Sequence, residues 1–323
     1  MRLGLIGCGF IGQKRVNAAK GHDVTIVFDL VPVRAAALAK LTGANVASSW
    51  QEVCGADVDA VMIATTPDQL PVIGLAALQQ GKHVLIEKPG GRNAAELEPL
   101  AVEAAKRGLV AKVGFNHRFH PSFLKAKQLV DEGGLGPMMF VRGRYGHGGR
   151  LGYETEWRFD RAISGGGELL DQGTHLIDLS RWFLGDLEVA YGAMPAYYWR
   201  SEVEDNCFMA LRGAAGETAW LQASWTEWKN IFSFEIAGRD GKLQVDGLGG
   251  SYGIERLTYY RMLPILGPPE TTIWEYPFAD TSWDAEFAEF ASAIEQRRPV
   301  IGGIDDAIAV LRIVDQLYER GTA

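Results

Sequence analysis

LGLIGCGFIGQKR, residues 3–15, decides how the first part of this chain must fold. A short apolar run, Leu3–Ile6, passes through Gly7, Gly9 and Gly12 into a helix-prone segment that begins with Phe10 and Ile11. Each glycine has its own task in a dinucleotide-binding turn. Gly7 permits the tight turn, Gly9 lets backbone approach a pyrophosphate, and Gly12 lets helix and strand pack closely. The helix N-terminus adds backbone N–H groups and a dipole that favour the anion. Glycines alone are a weak signal. Here a second apolar run, Val24–Phe28, ends in Asp29, 22 residues beyond Gly7 (29 − 7), where a carboxylate accepts hydrogen bonds from an adenosine ribose. Asp29 repels a 2′-phosphate and only Arg34 offers a nearby cation in compensation, so NAD is expected rather than NADP.

Further apolar runs follow at short intervals: Val58–Ala64, Val84–Ile86 and Val110–Val113. Helix-prone segments such as Arg34–Leu41 and Ala94–Arg107 lie between the runs, the second with Leu97, Leu100 and Ala104 at helical spacing. Alternating strands and helices, with strands apolar throughout, predict an α/β Rossmann domain with a parallel sheet covered on both faces. After about Phe119 the texture changes. Helix signals persist at Pro121–Asp131 and Glu168–Phe183, but alternating, aromatic-rich runs dominate: Leu187–Trp199, Cys207–Leu211, Thr218–Trp225, Phe232–Ala237 and Lys242–Val245. RGAAGET (212–218) and GRDGK (238–242) read as hairpin turns between them. The expected organisation is a cofactor domain over 1–118 and an α+β domain over 119–323 built on a large, mainly antiparallel open sheet. Two apolar stripes, Phe287–Phe290–Ile294 and Val310–Leu311–Val314–Leu317–Tyr318, predict C-terminal helices that pack back towards the first domain.

Composition narrows the function. A net charge of −8 argues against nucleic acid or an anionic membrane as partner. Leu3–Ile6 is too short for a signal peptide and breaks at Gly7, and no run approaches the roughly 20 apolar residues of a membrane span. Three widely spaced cysteines with no CxxC pair suit reduced thiols and a cytoplasmic setting.

GKHVLIEKPGGRN (81–93) places Glu87, Lys88 and Pro89 at the end of a parallel strand, the edge at which open α/β sheets bind ligands. Proline fixes the backbone beside Lys88 and aims its ammonium, which can donate to a substrate hydroxyl. A lysine merely paired with Glu87 or solvent is the alternative. GGGELLDQGTHLID (165–178) carries Glu168, Asp171, His175 and Asp178 at steps of three, four and three, one polar helical face. Three readings compete for it: a solvated face, a metal site, or a general base (His175) oriented by a carboxylate one turn earlier (Asp171). Metal is disfavoured, because no ligand motif is present and nothing in the sheet pattern joins His175 to the other spaced pair, His117 and His120.

These segments together resemble the glucose–fructose oxidoreductase, inositol dehydrogenase and MocA (Gfo/Idh/MocA) family. The resemblance covers nearly the whole chain: the glycine loop, ATTP (64–67), GKHVLIEKP (81–89), GFNHRF (114–119), and the segment from Trp157 through GGGELLDQGTHLID. It implies Lys88, Asp171 and His175 as catalytic residues: His175 the acid/base, Lys88 polarising the reacting oxygen, Asp171 supporting both. It also implies cofactor contacts from Thr65, Thr66, Pro67, Glu87 and Lys88. Asn116, Arg118, Trp157 and Arg158 are placed near nicotinamide or substrate, and no metal is required. The family's open sheet commonly forms dimers or tetramers, which suits a chain with eight of its nine tryptophans beyond residue 150. Asp68 and Pro71 depart from the family's usual Asn and His, and Gly90–Arg92 follow EKP where a small or apolar residue is usual.

The activity so implied is NAD-dependent hydride transfer at a secondary hydroxyl or ketone of a sugar, nucleotide-linked sugar or cyclitol. Two alternatives keep the fold: a glycosidase or epimerase that uses transient oxidation, and a non-enzymatic NAD(H) sensor. The basic run Arg142, Arg144, Arg150, Arg158 and Arg161 either grips a phosphorylated substrate or pairs with Glu154, Glu156 and Asp160 on a solvated loop.

Overall fold

A computed structural model describes residues 1–320. The chain divides into two compact units, Met1–Asn116 with Trp283–Leu311, and His117–Ser282 with residues 312–320.

The first unit is built on six parallel strands: β1 (Arg2–Ile6), β2 (Asp23–Phe28), β3 (Asn45–Val46), β4 (Ala60–Ile63), β5 (His83–Ile86) and β6 (Ala111–Val113). Their order, β3-β2-β1-β4-β5-β6, is the doubly wound arrangement, and the order reverses between β1 and β4, directly beyond which the glycine loop lies. The apolar runs predict five of the six strands. β3 escapes because it is a two-residue edge strand whose side chains are both exposed, so it carries no apolar pattern. Helices start and stop where the chain supplies caps: Asn93 accepts the Glu96 N–H at 3.1 Å to begin Ala94–Arg107, and Gly108 ends it in the left-handed region. Phe287 and Phe290, from helix Ser282–Gln296, pack into the cluster of Leu3, Leu5, Val27, Met62 and Leu85. Burying each phenyl ring stabilises the unit by roughly 1.5–3 kcal/mol.

The second unit carries an eight-stranded sheet: β7 (Met138–Gly146), β8 (Leu187–Ala193), β9 (Asn206–Gly213), β10 (Thr218–Ser224), β11 (Ile231–Gly238), β12 (Gly241–Asp246), β13 (Glu255–Arg261) and β14 (Glu270–Tyr276). The order is β14-β13-β12-β11-β7-β10-β9-β8, and only the β7–β10 pair is parallel. Both expected hairpins form, β9–β10 and β11–β12. The sequence pattern misses β7, whose Arg and Gly residues interrupt the apolar run, and also β13 and the largely exposed edge strand β14. The run from Leu187 stops at Ala193 rather than Trp199. Beyond it the backbone N–H groups of Tyr197, Tyr198 and Trp199 turn to the carboxylate of Asp205 at 2.7–2.9 Å. Gly143 in β7 brings helix Thr174–Leu184 close to the sheet, since a Cβ there would meet Leu176 at 3.0 Å.

Candidate active site

In the first unit the glycines have the geometry their spacing implies. Gly7 sits at φ +93, and a Cβ on it would lie 2.3 Å from the Ala64 carbonyl oxygen. A Cβ on Gly12 would lie 1.9 Å from the Gly7 carbonyl oxygen, so helix Phe10–Ala18 can start this close to β1 only with glycine there. Gly9 has open space where a side chain would stand, and no side chain caps the helix that follows it. An uncapped helix start beside open space fits a pyrophosphate. Asp29 is half-buried at the end of β2. Its Oδ2 accepts the Cys8 N–H and its Oδ1 the Val31 N–H, both at 2.7 Å, so this carboxylate also holds the glycine loop in shape. Arg34, like Phe10, is exposed. Thr65, Thr66 and Pro67 follow β4, with the Thr66 hydroxyl on Asp68 at 2.6 Å, so the residue that departs from the family pattern shapes this turn. The Cys8 thiol is pushed up to about 12 by burial and by Asp29, which makes it inert packing.

Lys88 stands just past β5, with a cis bond to Pro89. The residue before it is anchored twice. The Glu87 N–H donates to the Ile63 carbonyl at 2.9 Å, and its carboxylate takes Arg15 Nε at 2.5 Å. Arg15, in the helix that the glycine loop starts, is 1% exposed and also reaches Glu286 at 2.5 Å; Lys112 lies 3.5 Å from Glu286. Burial works against the guanidinium charge, but Glu286 and Glu87 outweigh it and raise the Arg15 pKa. Burial dominates at Glu87, whose carboxyl moves up despite Arg15. Gly114 is required here, since a Cβ would meet Arg15 Nη2 at 2.4 Å. Arg15 was invisible to motif reading, which stops at the third glycine. Asn116, buried, closes the unit's first segment.

In the second unit the predicted helix is two structures. Leu169–Gly173 form a π-helical turn, and α-helix runs over Thr174–Leu184. The wider turn breaks the uniform spacing of the four polar residues, and the segment is largely buried: Glu168 and Asp178 are fully buried, as are Leu176 and Ile177, while Asp171 is partly buried. The polar face is therefore not a solvated one. Asp178 takes Arg118 in a two-pronged ion pair at 2.6 and 2.8 Å, with both side chains buried. Asp171 has Arg158 Nε at 3.4 Å from its Oδ2, and Arg158 also reaches Glu156 at 2.9 Å and lies over the Trp157 ring. Burial opposes the Arg158 charge, and Asp171, Tyr153 and Glu156 together keep its pKa raised. The basic run is thus largely committed to carboxylates, Arg142 to Glu235 and Arg150 to Glu156.

The three glycines before the turn have a reason within the unit itself. A Cβ on Gly166 would stand 1.9 Å from the Tyr318 hydroxyl, and one on Gly167 would stand 2.0 Å from the Glu204 carbonyl oxygen. The buried Glu204 carboxylate accepts the Gly167 and Leu169 N–H groups at 3.1 Å and the Tyr318 hydroxyl at 2.8 Å, anchoring the turn that carries Asp171.

The structure also joins what the sequence kept apart. The His117 ring stacks on His175 at 3.7 Å between centroids, 21° from parallel, and His120 stands edge-on to His117 at 5.6 Å. His120 is bound by Glu255 at 2.9 Å. This is an imidazole stack rather than a ligand set: among the described residues, no three His, Cys, Asp or Glu side chains are grouped to hold a metal ion.

A doubly wound parallel sheet with this loop, and a second unit with an anchored acid–histidine segment on a mixed sheet, define an NAD-binding oxidoreductase. Residues 1–115 match the oxidoreductase family described by its NAD-binding Rossmann fold, and residues 123–244 match the GFO/IDH/MocA C-terminal domain. The chain belongs to the Gfo/Idh/MocA family. It is 30% identical over 250 residues to 1,5-anhydro-D-fructose reductase of Ensifer adhaerens, covering 75% of this chain and 74% of that one. It is 25% identical over 283 residues to levoglucosan dehydrogenase of Pseudarthrobacter phenanthrenivorans, covering 75% and 73%. A solved levoglucosan dehydrogenase complex with NADH and L-sorbose has the same fold, with a TM-score of 0.90 at 23% identity over 99% of this chain and 96% of that one.

Proposed function

We propose that the chain oxidises a secondary hydroxyl of a sugar, nucleotide-linked sugar or cyclitol to a ketone, or runs the reverse reduction. Residues 1–118 serve the cofactor and 119–323 serve substrate and assembly. The observation that carries this reading is the Asp171–His175 segment, built into the fold by Glu204 and flanked by Arg158 and His117, in a chain that also has a complete dinucleotide loop. His175 takes the hydroxyl proton, Lys88 donates to the same oxygen, and Asp171 orients the imidazole. NAD, held by the glycine loop and Asp29, would supply the acceptor for the hydride. Support for the substrate class comes from the relatives, a levoglucosan dehydrogenase and an anhydrofructose reductase among them. The test is NADH absorbance with NAD⁺ and a panel of free sugars, inositols and nucleotide sugars. Turnover of at least one polyol is expected; release of an aglycone with no net NADH would replace this reading by transient oxidation, and NADH binding with no turnover of any kind would replace it by a sensor.

NAD rather than NADP is the expected cofactor, on the strength of Asp29. Its charge faces a 2′-phosphate unfavourably, and its hydrogen bond to Cys8 ties the same group to the loop. Asp29→Asn is expected to raise KM for NAD by about 10-fold and to narrow the NAD/NADP preference by a similar factor, the scale of one charge-assisted hydrogen bond. An unchanged ratio of kcat/KM values for the two cofactors would remove Asp29 as the discriminator. Assembly through the eight-stranded sheet is supported by Trp220 (53% exposed) and Tyr191 (51%), large rings on its strands β10 and β8. A cytoplasmic setting is supported by three buried cysteines outside any disulfide.

A further inference from the structure

We propose that Tyr252 orients the substrate: its phenolic O–H, held beside the Asp171 turn by Tyr145 and Gln172, donates to a second hydroxyl of the polyol. The inference rests on the polyol reading above and deepens it.

The segment between β12 and β13 is shaped around two side chains. Gly247, Gly249, Gly250 and Gly253 all have positive φ (72, 55, 81 and 101), a path that other residues rarely follow. Leu248 is buried in the core, and Tyr252 is half-buried. The segment is tied down by backbone bonds, Gly247 N–H to Phe232 at 3.0 Å and Tyr252 N–H to Leu248 at 3.3 Å, and by Asn230 on the Ser251 carbonyl at 3.2 Å. The Tyr252 ring packs at 5.1 Å on Tyr145, whose other ring neighbours are His117 at 5.2 Å, Phe232 at 5.3 Å and His175 at 6.2 Å. Tyr252 therefore belongs to the same aromatic cluster as the proposed acid/base.

Counting donors shows what its hydroxyl can do. A phenol oxygen carries one proton and two acceptor positions. Gln172 Nε2 donates to Tyr252 Oη at 3.4 Å, and the buried Tyr145 packs its ring against the same side chain. The Tyr252 oxygen already accepts from Gln172, which leaves its own proton to be donated. Burial, followed by the nearby Glu168 and Asp171 carboxylates, pushes the Tyr252 hydroxyl up to about 12, so it stays a neutral donor. The same carboxylates repel an anion, so this subsite takes an uncharged hydroxyl rather than a phosphate or carboxylate.

Tyr252→Phe keeps the ring and its packing and deletes only the donor. The probes are myo-inositol, levoglucosan and D-glucose with their monodeoxy analogues, titrated calorimetrically into the protein–NADH complex and assayed by turnover. The expected result is a rise in Kd and KM of about 5- to 10-fold, with the loss falling on KM rather than kcat and NADH affinity unchanged. One monodeoxy analogue should bind wild type more weakly than its parent does, yet lose nothing further in Tyr252→Phe. Equal KM in wild type and Tyr252→Phe, or a loss confined to kcat, overturns the assignment while leaving the polyol reading intact. Failure of the wild-type complex to bind any probe overturns both.

Discussion

Replacing His175 by Asn is expected to lower kcat by about 10²–10⁴-fold, the range supplied by a positioned general acid or base. The reason is chemical: a hydroxyl loses hydride readily only as its oxygen loses a proton, and without an acceptor for that proton the alkoxide is not reached. The substitution should leave NADH binding unchanged, because the glycine loop, Asp29 and the Arg15–Glu87 anchor all belong to the first unit. The pH profile supplies the sharper readout. The wild type should lose kcat/KM on the acid side as the base becomes protonated, and that limb should vanish in the variant. Asp171→Asn should act in the same direction by a smaller factor, because the imidazole remains and loses only its orienting charge. A His175→Asn enzyme with wild-type kcat and an intact acid limb would exclude His175 as the base.

Replacing Arg15 by Met is expected to lower the unfolding free energy by about 3–5 kcal/mol, the cost of stranding buried charge. Arg15 is 1% exposed and Glu286 fully buried, so water cannot take the place of the guanidinium. Glu87 would be left in a site where burial already pushes its carboxyl up. Lys112, 3.5 Å from Glu286, covers part of the remaining charge. The double variant Arg15→Met/Glu87→Gln should therefore recover part of the loss, a coupling that urea denaturation of the four members of the cycle would measure. A second effect reaches the chemistry, since Arg15 holds the residue next to Lys88. At temperatures where the single variant stays folded, kcat/KM should fall further than NADH affinity. Full stability in Arg15→Met would show that the cluster is dispensable.

The residues with the least conformational freedom were the most legible. Gly7 and Gly12 announce themselves because any Cβ would strike a carbonyl oxygen at 2.3 or 1.9 Å, a local constraint that leaves a mark in the sequence. Five of the six parallel strands are likewise readable, because burial demands unbroken apolar runs, and the exposed edge strand β3 is not. Asp171 and His175 stood out by spacing and by resemblance. Their neighbours Glu168 and Asp178 are equivalent by period, the resemblance leaves both out of the catalytic set, and the fold gives Asp178 its partner, Arg118, sixty residues away in sequence.

Other features depend on contacts that no local pattern encodes. The glycines at 165–167 carry no local sign of their neighbours, yet a Cβ on Gly166 or Gly167 would strike Tyr318 or Glu204 of the same unit. The π-helical turn at Leu169–Gly173 is invisible to a 3.6-residue period, because a single widened turn shifts register without changing composition. His117 carried no sign that it would lie on His175, for stacking at 3.7 Å needs two segments 58 residues apart (175 − 117) to be brought together by a sheet. Arg15 and Tyr252 read as ordinary surface-type residues until Glu286 and Tyr145 arrive from distant segments. The sequence by itself determined the cofactor unit, the mixed-sheet unit and the acid–histidine segment, because each rests on short-range sterics or an unbroken pattern of burial. The partners that aim, anchor and surround those groups were decided only by tertiary structure, since desolvation and pairing depend on what the folded chain places beside each residue.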